Sequence, residues 1–152
     1  MPSCPIPTSL LSPSCSAEGI SVVLPPLNEI AQCWPIIEPI LERATRRIRG
    51  YEPIDILQLV MLGRQSMFLV RDLGRLVAVV VTEVREFPRC RVLEVPFIAG
   101  SGVRRWFRPV LDALDAQAEA LGCVDLCGWD RKGWAHFGFE IAGVALVRRI
   151  KP

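Results

Sequence analysis

The segment from Cys90 to Trp129 constrains the chain more than any other. CRVLEVPFI, residues 90–98, is rich in β-branched and apolar groups and reads as a strand. Gly100-Ser101-Gly102 follows it. From Val103 to Leu121, the residues Val103, Trp106, Phe107, Val110, Leu111, Leu114, Ala118 and Leu121 fall on one helical stripe, with Arg105, Arg108, Asp112, Asp115 and Glu119 off it. Gly122 ends the helix, and CVDLCGW, 123–129, reads as another strand. A helix of this length is the usual crossover between parallel neighbours, so 123–129 should run parallel to 90–98. Pro109 is the flaw. Either it sits near the first turn, with Arg108 as a boundary, or the helix bends there.

Upstream, SMFLVRD (66–72), RLVAVVVTEVREF (75–87) and CRVLEVPFI are separated only by Leu73-Gly74 and Pro88-Arg89, which predicts an antiparallel meander. ISVVLPP, 20–26, reads as an opening strand that ends at its double proline. Leu27 to Ile48 has helical spacing through Ile30, Trp34, Ile37, Leu41, Ala44 and Ile48. Pro35 and Pro39 predict a kinked or two-piece helix, closed by Gly50. A short helix is expected from Pro53 to Leu62, ended by Gly63. A turn around Lys132 to Phe137 leads to a final strand or hairpin, FEIAGVALVRRI. The class is α/β with a mixed central sheet, a single domain over 20–152. Residues 1–19 hold four prolines, five serines and one charged residue, so they form an irregular N-terminal arm. Its Ile6, Leu10 and Leu11 suit contact with a partner or with the domain itself.

A net charge of +2 is too close to balanced to argue for a nucleic-acid partner, and none is expected. No apolar run approaches the roughly 18 to 20 residues needed to span a membrane, and the N-terminus lacks a secretory pattern. The expectation is a soluble, cytoplasmic protein. The six cysteines match no zinc-ribbon or zinc-finger spacing; Cys123, Cys127 and His136 would lack a fourth ligand, and no metal is expected.

Arg104, Arg105 and Arg108 crowd the start of a helix, where the backbone dipole disfavours cations. An anion bound to the N–H groups after Gly100-Ser101-Gly102 would neutralise them, and glycines let it approach the backbone. The alternative is that they point into water, at a penalty of a few tenths of a kcal/mol. Arg131-Lys132-Gly133-Trp134 has a double reading too: a basic turn whose aromatic stacks on a base, or a Trp that plugs the end of the sheet.

The order of elements and the strand–Gly-x-Gly–helix unit resemble the Gcn5-related N-acetyltransferase (GNAT) family over about residues 20 to 150. The family pattern at this loop is Gln/Arg-x-x-Gly-x-Gly/Ala. Gly100 and Gly102 match it, while Phe97 stands where Gln or Arg is usual. Gly138-Phe139 also matches a frequent family pair. Thr82-Glu83-Val84, Ala118 with Gly122-Cys123, and Arg131 with Gly133-Trp134 look similar to a GNAT-like group encoded by tailed phages.

The resemblance implies acetyl-CoA as cofactor. Its thioester carbonyl would be held by backbone N–H near Val95 to Ile98, and its pyrophosphate by the loop and helix start: Phe97, Ile98, Gly100, Ser101, Gly102, Val103, Arg104 and Arg105. Pro96 cannot donate there and is a source of the strand splay the family uses. Candidate bases are Glu83 and Glu94, for each of which a solvated surface carboxylate is the competing reading. The Tyr that many members use as acid is missing, since Tyr51, the sole tyrosine, lies far away in sequence. His136, the sole histidine, is the candidate acid, with Cys127 as a stand-in. Two functions follow: transfer of an acetyl group to an amine of a small molecule or protein, or a non-catalytic protein with a structural or partner-binding role. In the second case it would serve in a phage particle or pair with a second copy, and would sit in the host cytoplasm or virion.

Overall fold

Alternation along the strands divides the core in two. The computed structural model describes residues 19–128, 138–140 and 148–150. The arm before Gly19, the turn at 131–134, His136 and most of the expected final strand lie outside them. The elements are β1 (Ile20–Val23), α1 (Leu27–Thr45), α2 (Pro53–Met61), β2 (Ser66–Asp72), β3 (Arg75–Glu86), β4 (Arg91–Gly100), α3 (Val103–Ala120) and β5 (Asp125–Gly128). Their order in the sheet is β1-β2-β3-β4-β5. The first three pairings are antiparallel and β4 with β5 is parallel, so the sheet is mixed, as the crossover argument requires.

Phe68, Val70, Ala78, Val80 and Val95 face α3, where they meet Trp106, Phe107, Val110 and Leu114. Met67, Leu69, Val79, Val81, Phe97 and Ala99 face the other way, against Ile30, Ile37, Leu41, Ile56 and Val60 of α1 and α2. Each large side chain buried this way contributes about 1.5–3 kcal/mol. One polar contact is sealed into the α3 layer: Thr82 Oγ1 donates to Gln117 Oε1 at 2.9 Å, and both residues are buried. Thr82→Val leaves that carbonyl without its donor. We expect a loss of about 1–2 kcal/mol in urea unfolding.

The two prolines do not divide α1, which runs unbroken from Leu27 to Thr45. They are four residues apart and both exposed, so they share the solvent face. The carbonyls they deprive of donors, those of Ala31 and Pro35, lie on that wet side, while Ile30, Ile37, Leu41 and Ala44 hold the opposite stripe in the core. The helix ends at Thr45, ahead of Ile48 and Gly50. Pro109 likewise lies inside a continuous α3, and the carbonyl it frees belongs to exposed Arg105. The opening strand stops at Val23, before Pro25-Pro26, and β4 runs on to Gly100 rather than ending at Ile98.

Candidate active site

Proline inside an internal strand has to be accommodated, and β4 does so by a bulge. Val81 pairs with Phe97 while Glu83 pairs with Glu94, so Thr82 alone opposes both Val95 and Pro96. The extra residue reverses the alternation: Glu94 shares the α1/α2 side with Phe97 and Ala99, and Val95 shares the α3 side with Ile98. Among the described residues β4 pairs with β5 from Val92 opposite Asp125 to Val95 opposite Gly128. The bulge supplies irregular pairing at Pro96; the splay of β4 from β5 expected there concerns the chain after Gly128, outside the described residues.

Just short of the bulge, a polar row crosses an otherwise apolar face. Glu83 and Glu94 are direct cross-strand partners, and Glu94 is level with Cys127 on β5. Paired positions of this kind put Cβ atoms about 4.5–5.5 Å apart. Both candidate bases therefore stand on one face at one level. Glu94 is buried, with 6% exposure, and its Oε1 lies 3.1 Å from Nε of the half-exposed Arg85. Glu83 Oε2 accepts from Gln65 Nε2 at 3.1 Å. Gln65 is itself buried, and among the described residues its Oε1 has no hydrogen-bond partner. Burial pushes the Cys127 thiol above its ordinary value. The charges of Asp125 and Glu94 push the same way, against Arg85, so the group is a protonated thiol at neutral pH.

The loop at the end of β4 is held by the protein itself. Ser101 N–H donates to Val77 O at 3.1 Å, and Trp106 Nε1 donates to Ser101 O at 2.7 Å. A Cβ on Gly100 would stand 2.4 Å from both Ala78 Cβ and Val77 O, so this glycine answers to β3. Gly102, at φ +74°, starts α3 in the left-handed region and faces open space. No side chain caps the helix start.

Among the three arginines, Arg105 has its anion inside the protein. It grips Asp72 at the end of β2 with Nε at 2.8 Å and a terminal nitrogen at 3.0 Å. The hydrogen bonds and charge of Asp72 raise its pKa further. That pair, rather than a bound nucleotide, offsets its position in the first turn. Arg104 and Arg108 are exposed, as is Val103. Phe97, where the family has Gln or Arg, points into the α1/α2 layer and meets the ring of Tyr51 edge-on at 5.3 Å.

The structure thus brings Glu83, Glu94, Val95, Phe97 and Ile98 to one place, and Gly100 to Arg105 to the adjoining loop. His136 lies outside the described residues. Sequence reasoning missed Gln65, whose role depends on register, and set aside Tyr51 for its distance along the chain. Among the described residues no group of three or more His, Cys, Asp or Glu is placed to hold a metal, and no helix is long and apolar enough to cross a membrane.

No family sequence model matches the chain, and no curated protein matches it in sequence. Solved structures do match in fold. A ribosomal-protein-alanine N-acetyltransferase from Brucella melitensis biovar Abortus 2308 aligns with a TM-score of 0.65 at 14% identity, covering 87% of this chain and 99% of that one. A predicted acetyltransferase from Clostridium acetobutylicum, solved with acetyl-CoA, gives 0.63 at 13%, over 86% and 96%. An aminoglycoside acetyltransferase from an uncultured soil metagenomic sample, in complex with sisomicin, gives 0.65 at 10%, over 88% and 97%. The fold is that of the GNAT acetyltransferases.

Proposed function

We propose that the chain is an N-acyltransferase that moves an acetyl group from acetyl-CoA to an amine. The observation that carries this reading is the coincidence of the Pro96 bulge with the buried Glu94 and its cross-strand partner Glu83 at that level. The uncapped start of α3 and the open space at Gly102 fit a pyrophosphate. Gly102, Val103 and Arg104 would hold it; Ser101 N–H and Arg105 are already engaged. The bulge at Val95 and Pro96 is where the thioester carbonyl would meet β4, with Phe97 and Ile98 next to it.

Acetyl-CoA supplies an activated acyl carbon and a thiol leaving group. Glu94 takes the proton of the amine as the C–N bond forms and the C–S bond breaks, with Glu83 beside it favouring the cationic acceptor. Cys127, a protonated thiol in the row, or His136 delivers a proton to the departing sulfur. Arg85 keeps Glu94 aligned through its Nε contact.

Thermal unfolding with and without coenzyme A tests the reading. Saturation at a hundred times Kd should add about 2.7 kcal/mol. Two observations favour the alternative of a non-catalytic protein with a partner-binding role, in a phage particle or otherwise: Phe97 is committed to Tyr51, and Arg105 to Asp72. Absence of any coenzyme A shift selects it.

A further inference from the structure

The row that holds Glu83 begins at Gln65, and Gln65 also lines a groove of about 390 Å³ on the same side of the sheet. That volume lies within the roughly 300–1,000 Å³ of small-molecule sites. Leu24, Leu27, Ile30, Val60, Met61 and Met67 form its apolar walls, and Leu27 and Met61 are exposed enough to mark its mouth. Gln65 and Ser66 are the groove's polar side chains. The amide of Gln65 is thus shared: Nε2 is given to Glu83, while Oε1, buried, has no donor among the described residues. A buried carbonyl left unpaired beside a carboxylate is an acceptor pair suited to a cationic N–H group.

Resting on the acyltransferase reading, we propose that the acceptor is an amphipathic primary amine. Its ammonium donates to Gln65 Oε1 and Glu83, and its apolar tail lies along Leu24, Leu27, Val60 and Met61. The amine then stands one strand, about 4.8 Å, from Glu94 and the bulge of β4. Such a site disfavours polyhydroxylated amines, because the walls offer their hydroxyls no partners.

Calorimetric titration of the full chain with n-hexylamine, in the absence of coenzyme A, reads this directly. D-glucosamine and 1-hexanol serve as probes for polar bulk and for loss of charge. We expect hexylamine to bind at least tenfold more tightly than either, and Gln65→Leu to weaken it about tenfold. Met61→Lys, on the rim at the end of α2, tests the groove without touching the buried amide; it should abolish binding by placing a cation at the mouth. Glucosamine binding as well as hexylamine, or hexylamine binding unchanged in both variants, overturns the proposal. If coenzyme A stabilises the chain and hexylamine does not bind, the acyltransferase reading stands and this acceptor class falls. If hexylamine binds and coenzyme A does not, the acceptor role falls with that reading.

Discussion

Gly100→Ala should destabilise the chain by about 3 kcal/mol, the upper end of what overpacking costs. The added methyl would meet Ala78 Cβ and Val77 O at 2.4 Å and Ala78 Cα at 2.6 Å. Two of those three atoms are backbone of a central strand, which cannot swing aside. Against a total stability of about 5–15 kcal/mol, the loss should be plain as a lowered midpoint in guanidinium unfolding with unchanged slope. Gly102→Ala is the control. Nothing lies within 4 Å there, and only the φ of +74° penalises a side chain, at about 1–2 kcal/mol. If the two variants lose equal stability, the contact with β3 does not exist as described. The comparison also bears on cofactor binding. Lost coenzyme A affinity in Gly100→Ala can come from a disturbed sheet, so Gly102 is the position at which to probe the loop.

With Glu94→Gln, kcat/KM for acetyl transfer should fall about 10²–10⁴-fold, the usual worth of a positioned general base. The amide keeps the shape of the carboxylate but cannot take a proton. Its partner Arg85 has a side-chain exposure of 54%, so it regains water and the fold loses less than about 1 kcal/mol. Coenzyme A should still raise the melting temperature of the variant, which separates lost chemistry from lost binding. Glu83→Gln should act mainly on KM, because its carboxylate attracts the cation without receiving the proton. An active Glu94→Gln with an inactive Glu83→Gln would exchange the two roles.

Much of this architecture could be read directly from the residues. The meander, the crossover helix and the parallel β5 follow from apolar periodicity and short turns, which are local signals. Pro96 announced the bulge because a proline inside a strand demands irregular pairing. What could not be read was set by register. Glu83 and Glu94 are eleven positions apart in the chain and become neighbours only through the pairing of β3 with β4. Gln65 joins them from the start of β2 with no local mark to distinguish it from a surface glutamine. Asp72 and Arg105 are 33 positions apart with two strands between them, and their ion pair closes between the end of β2 and the first turn of α3. The exposed spacing of Pro35 and Pro39 was visible, yet propensity weighed more than the face they share.

The bulge in β4 makes that strand two half-strands out of phase, with the carboxylate just ahead of the boundary. Deleting Pro96 would restore a regular zigzag and swing either Glu94 or the Phe97–Ala99 pair to the wrong side of the sheet. Length at this point therefore matters as much as any side chain, and a graft of this site onto another sheet has to carry its odd residue along.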